Sequence, residues 1–155
     1  MAEIERKFLV SNQDECLRHV TKSTHIVQGY LSLDLSRTVR IRKTDTKAIL
    51  TIKGKPNSSG DTRFEWEKEI SLDEATQLFD LCLGKIIEKI RHLVPFQSHC
   101  FEVDVFYGNH KGLIIAEIEL RSAEEKVALP PWIGKEVTGD SRYYNSSLAK
   151  QGLKP

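Results

Sequence analysis

The stretch MAEIERKFLV, residues 1–10, decides how the rest of the chain is read. Glu3, Glu5 and Lys7 alternate with Ile4, Arg6 and Phe8, so at the two-residue period of a β-strand they share one face. The same construction recurs. RTVRIRK (37–43) sets Arg40 and Arg42 opposite Val39 and Ile41, and AILTIKGK (48–55) puts Thr51 and Lys53 in phase. RFEWEKEI (63–70) offers Glu65, Glu67 and Glu69 on one side and Phe64 and Trp66 on the other, which makes Trp66 a core residue by expectation. IIEKIRHLV (86–94) carries Lys89 and Arg91, CFEVDVF (100–106) carries Glu102 and Asp104, and LIIAEIEL (113–120) carries Glu117 and Glu119.

With IVQGYLSL (26–33), the pattern predicts about eight strands joined by hairpin-sized links, and hence an antiparallel sheet. Helices are few. Ser11 or Asn12 caps one reaching to about Val20. Ser71 with Glu74 forms a capping box for a second, which uses Leu72, Ala75, Leu78, Phe79 and Cys82 and ends near Gly84. Ser122 with Glu125 predicts a third, to about Leu129, and Asp140 caps a last one over SRYYNSSLAK. Pro95 is expected to stop its strand. PNSSGD (56–61) reads as a loop, too short to divide the chain, so residues 1–155 form a single expected domain.

Hydrophobic residues make up 39% and charged residues 29%, the composition of an ordinary globular chain. Lys and Arg total 23 against 22 Asp and Glu, a balance that argues against bulk attraction to nucleic acid or to an anionic membrane. Cys16, Cys82 and Cys100 have neither metal-site nor redox spacing and suit a reducing compartment. No apolar leader or membrane-length run is present, so a cytoplasmic location is expected. Gly-rich phosphate loops, HExxH and nucleophile-elbow motifs are absent from the sequence, and any phosphate binding must come from side chains.

The charged faces admit two readings. In the first they are the solvated side of a sheet. In the second the sheet closes into a barrel with those faces inward and its apolar faces and helices outside, and the lumen then needs a polyanion and a metal to be tolerable. Carboxylates would hold a hard divalent cation, while arginines and lysines clamp phosphate oxygens.

Glu3-Ile4-Glu5-Arg6-Lys7 resembles the Glu-x-Glu-x-Lys signature of the CYTH family, the triphosphate tunnel metalloenzymes. The likeness extends through Gln28-Gly29-Tyr30-Leu31, Arg40-Ile41-Arg42, Thr51-Ile52-Lys53, Glu65-Trp66-Glu67, Glu88-Lys89-Ile90-Arg91, Phe101 to Phe106, Glu117-Ile118-Glu119 and Thr138 to Tyr143. It implies an all-β-dominated (α+β) fold, an eight-stranded antiparallel β-barrel forming a charged tunnel with short flanking helices. It also implies Mg²⁺- or Mn²⁺-dependent hydrolysis of inorganic triphosphate to diphosphate and phosphate, as in the short bacterial members. Other members are class IV adenylate cyclases, thiamine triphosphatases and RNA triphosphatases, and a non-catalytic polyphosphate sensor is a further alternative.

By the same resemblance Glu3, Glu5, Asp104, Glu117 and Glu119 are metal carboxylates, and Glu5, Lys7 and Glu119 fall at the catalytic centre. Lys7, Arg40, Arg42, Lys53, Lys89, Arg91 and Arg142 bind the triphosphate. Tyr30, Glu65, Glu67 and Glu102 are further tunnel residues. Apolar strand faces left uncovered by so few helices leave room for a homodimer.

Overall fold

The computed structural model describes residues 2–151. The alternation read from the sequence forms β1 (Ala2–Val10), β2 (Lys22–Ser32), β3 (Arg37–Lys43), β4 (Ala48–Gly54), β5 (Thr62–Ile70), β6 (Leu83–Phe96), β7 (His99–Tyr107), β8 (Ile114–Glu119) and β9 (Ile133–Glu136). The helices are α1 (Gln13–Leu17), α2 (Leu72–Phe79) and α3 (Asn145–Gln151), with 3-10 turns at Gly108–His110 and Ser141–Tyr143. The strands form one antiparallel sheet in the order β5-β4-β3-β2-β6-β7-β8-β1-β9, and β1 also pairs with β5.

That last pairing closes a ring, but the expected eight-stranded barrel is not formed. The ring is not evenly disposed round an axis, and a ninth strand hangs on β1. Closure rests on the pairs Ala2–Phe64, Glu3–Arg63 and Ile4–Thr62, after which β1 leaves β5 and continues along β8 from Glu5 to Leu9. Register shifts interrupt β2 on both of its edges, near Gly29. A Cβ at Gly29 would lie 2.7 Å from Cys82 Sγ, so the absent side chain lets the α2–β6 link pack directly on the strand. Ring strands running from six to fourteen residues, bent at such shifts, cannot keep one tilt and one stagger around a circle.

Three apolar clusters hold the ring. Phe8, Val94, Phe101, Val103, Ala116 and Ile118 pack with Cys16 of α1 and with Trp132 on the outward face of β1, β6, β7 and β8. α2 lays Ala75, Leu78 and Phe79 on Ile41, Ala48 and Leu50. The remaining cluster fills one end of the interior: Ile87, Phe106 and Ile115, in phase with Lys89, Asp104 and Glu117, close against Leu148 and Ala149 of α3.

Several expectations are corrected. β6 runs through Pro95, which pairs with Cys100; β2 accompanies β6 only as far as Leu93, so the missing N–H faces an open edge. Ser122 and Glu125 build no helix, because the Glu125 carboxylate accepts from the Arg121 backbone N–H at 2.6 Å and sits 2.6 Å from His99 Nε2. α1 stops at Leu17 and α2 at Phe79, both short of the expected ends. Trp66 is 43% and Phe64 52% exposed rather than in a core, since α2 covers β3 and β4 and leaves the outward face of β5 open. Among the described residues, no helix is long and apolar enough to cross a membrane.

Candidate active site

Register carries the β1 signature inward. Glu5 stands opposite Glu119 and Lys7 opposite Glu117, so the alternate residues of β1 and β8 share a wall. They line a polar cavity of about 210 Å³ together with Glu3, Tyr30, Arg40, Arg42, Lys53, Glu65, Glu67, Arg91 and Glu102. The lining counts eight carboxylates, Asp61 among them, against six cations. Such an excess of negative charge in a partly enclosed space calls for added cations.

The carboxylates respond to one another. Burial, reinforced by Glu117, raises the Glu5 carboxyl well above the usual range. Burial and the neighbouring Glu3 push Glu65 up to about 7. Against burial, Lys7 and Arg91 hold Glu117 well below the ordinary range, and Lys53, 2.6 Å from Glu3, holds that carboxyl down as well. Lys53 also reaches Glu65 at 3.4 Å. Lys7 Nζ donates to the Tyr143 carbonyl at 3.4 Å and lies 5.5 Å from the centre of the Tyr144 ring.

Cations gather on the opposite wall. Arg40 Nη2 donates to Thr51 Oγ1 at 3.2 Å and lies 3.9 Å from Glu67, while its Nε is buried without a hydrogen-bond partner among the described residues. Burial, with Arg40 and Arg91 adding, pushes Arg42 down to about 9. Orphaned and crowded guanidinium groups of this kind are what a bound polyanion would satisfy. Arg91 differs, since it makes a two-pronged pair with Asp104 at 2.8 and 2.9 Å.

Three sequence-predicted residues do not line the cavity. Lys89 and Asp104 lie behind its wall, both fully buried and 2.7 Å apart. Arg142 turns outward to Asp140 at 2.6 Å, with 68% of its side chain exposed. Conversely Arg63, Thr38, Thr51, Thr138, Tyr144, Asn145 and Ser146 line the cavity without having been read as site residues. Arg63 had a legible signal, being in phase with Glu65 and Glu67. Thr138 falls in the Thr138–Tyr143 segment that carried the resemblance, but Tyr144, Asn145 and Ser146 had no local signal, because only the return of the chain past β1 brings this region in, where Thr138 Oγ1 accepts from the Lys7 backbone N–H at 2.9 Å.

Among the described residues, no group of three or more His, Cys, Asp or Glu side chains stands close enough to enclose a metal. Carboxylates do meet in pairs, Glu5 with Glu117 and Glu3 with Glu65, each near enough to shift its neighbour's pKa. Paired carboxylates whose remaining ligands are water and phosphate oxygens fit a hard octahedral cation, which seldom uses an all-protein cage.

A strand-built ring around a cavity with both signs of charge defines a polyphosphate-handling domain, and the chain belongs to the CYTH domain family, whose profile matches residues 1–151. It is 42% identical over 153 residues to an inorganic triphosphatase of Acetivibrio thermocellus, spanning 98% of this chain and 96% of that protein. An inorganic triphosphatase of Nitrosomonas europaea is 35% identical over 153 residues, spanning 96% and 97% respectively. A crystal structure of an inorganic triphosphatase superposes with a TM-score of 0.65 at 32% identity, covering 95% of this chain and 93% of that one.

Proposed function

We propose that this protein hydrolyses inorganic triphosphate to diphosphate and phosphate with the help of a divalent cation, Mg²⁺ or Mn²⁺. The observation that carries this reading is the cavity's charge arrangement: among the described residues Arg40 Nε is buried without a hydrogen-bond partner, and Lys7 and Arg42 have no carboxylate within 4 Å, beside an excess of carboxylates. Lys7, Arg40, Arg42, Lys53 and Arg91 bind the phosphate oxygens and stabilise charge developing on the leaving diphosphate. Glu3, Glu5, Glu117 and Glu119 would hold the cation. When bound, it screens the phosphate charge and lowers the pKa of the attacking water. Burial raises the proton affinity of Glu5 in the metal-free cavity, and a bound cation would oppose that rise, so Glu5 would act as an ionised ligand beside the attacking water. Asp104 is committed to Lys89 and Arg91 and acts through them rather than as a cation ligand.

Among the described residues the lining offers no apolar slot for a base or a thiazolium ring; its aromatic members are Tyr30 and Tyr144. A substrate made of phosphate alone uses every contact, so kcat/KM for tripolyphosphate should exceed that for ATP by about tenfold or more, or about 1.4 kcal/mol in transition-state binding. The test is a side-by-side product assay on tripolyphosphate, ATP and thiamine triphosphate under each metal. Cyclic AMP with stoichiometric diphosphate would assign the site to a cyclase, and tripolyphosphate binding without release of phosphate would make it a sensor.

The three free cysteines suit a reducing cytoplasm. Exposed Phe64 and Trp66, with Ile52 beside Trp66, support pairing of two copies through β5, which light scattering on Phe64→Ser would test.

A further inference from the structure

Lys53 and Arg91 are tethered by carboxylates, but Arg42 is tethered by an amide. Its Nε donates to Oε1 of Gln28 at 2.9 Å, and the two residues face each other in the β2–β3 register. Gln28 is fully buried, and its Nε2 donates to Oδ1 of Asn145 at 2.9 Å. That same oxygen accepts from Lys89 Nζ at 3.0 Å. Both ends of one buried amide are therefore used, one on a cavity arginine and one on the acceptor of a buried lysine. Among the described residues Arg42 has no carboxylate within 4 Å, whereas Arg91, on the adjoining wall, is paired with Asp104. A neutral acceptor fixes the plane of a guanidinium without cancelling its charge, and a carboxylate does both.

We propose that Gln28 is a positioning residue, orienting Arg42 and, through Asn145, Lys89, while leaving the charge of Arg42 free for a substrate phosphate. The inference rests on the phosphate-binding role of Arg42 given above. Glutamate at position 28 has the same size but would form an ion pair with Arg42 and compete with the substrate.

The test is a double-mutant cycle on the full chain with Gln28→Glu, Arg42→Gln and the combination. It reads KM and kcat for tripolyphosphate with Mg²⁺, and calorimetric binding of tripolyphosphate with metal chelated. Gln28→Glu should raise KM and Kd about tenfold or more and change kcat by less than about threefold. In the Arg42→Gln background the same substitution should change either constant by less than about twofold, an interdependence that a merely structural role would not produce. Should Gln28→Glu fail to fold by thermal melting, Gln28→Met carries the same cycle; it removes both hydrogen bonds without adding charge and should raise KM only while Arg42 is present. Unchanged constants in a folded Gln28 variant, or equal losses in both backgrounds, overturn the inference. Arg42→Gln binding tripolyphosphate as tightly as wild type would instead remove the phosphate role of Arg42, a separate failure visible in the same cycle.

Discussion

Replacing Asp104 with Asn separates a carboxylate that neutralises buried charge from one that binds a cation. Asp104 is fully buried, accepts Nε and Nη2 of Arg91 at 2.8 and 2.9 Å and lies 2.7 Å from Lys89 Nζ. Burial alone would raise its carboxyl, but Arg91 and Lys89 outweigh burial and hold it below the ordinary range. Asparagine keeps the size, loses the charge and offers one oxygen where the carboxylate offers two. Breaking a buried pair from one side costs about 3–5 kcal/mol, because the partner stays buried and uncompensated.

Two features put Asp104→Asn at the lower end of that range. Burial already pushes Lys89 down to about 7, Asp104 opposing and Arg91 and Arg42 adding, so it can shed its proton near neutrality. Arg91 also keeps Glu102 at 3.4 Å and Glu117 at 3.5 Å. A loss of about 3 kcal/mol corresponds to a fall of about 6–12 °C in Tm for a domain of this size.

The deficit should depend on pH. With the folded Lys89 at about 7, the unfolded chain holds more protons from there up to about 10.4, and this group's contribution to stability rises with pH across that window. Without Asp104 the window opens at lower pH, so the variant's deficit is larger at pH 6 than at pH 9. Melts by circular dichroism in chelator-containing buffer measure both effects. A variant melting within about 1 °C of wild type without metal, and differing only when Mg²⁺ is added, would refute the reasoning and return Asp104 to the cation ligands.

Glu119→Gln should lower kcat on the order of 10²-fold with partial rescue by excess Mg²⁺, whereas Arg121→Gln, at the exposed edge of the same wall, should cost less than about threefold in steady-state assays. Glu65, raised to about 7 by burial and by Glu3, binds a proton in the folded state that the unfolded chain releases at ordinary carboxylate pKa. Its contribution to metal-free stability therefore falls as pH rises from about 4.5 to about 7. Chemical denaturation across that window should show the decline, and Mg²⁺ should flatten it; a steady gain in stability with pH would count against a crowded carboxylate cluster. Gly84 has φ +70 and a Cβ there would lie 2.3 Å from the Ala149 carbonyl oxygen in α3, so Gly84→Ala should destabilise by about 2–3 kcal/mol. Gly108, also at positive φ but with open space around its Cα, should lose only about 1 kcal/mol on the same change, and equal Tm shifts would argue against close packing of α3 on β6.

The sequence by itself determined eight of the nine described strands and the membership of their faces; β9 carried no local signal of its own. Alternation is a local property of the extended backbone, so Glu3, Glu5 and Lys7 had to share a side wherever β1 went, and Arg40 with Arg42 likewise. The capping box at Ser71 and Glu74 was equally local and formed as read. The box at Ser122 and Glu125 failed because its carboxylate found His99, 26 residues away, a competitor that no window of sequence contains. Only the tertiary structure decided which strand edges meet, and with them the uneven closure of the ring between β1 and β5. It also decided which charges cancel. Lys53 meets Glu3 from 50 residues away, and Asp104 is spent on Lys89 and Arg91. Arg42 is left to a neutral amide, held on its far side by a residue 117 positions from Gln28. Pairing energies depend on distance in space and on burial, and both are set by how the strands assemble rather than by the order in which their residues occur.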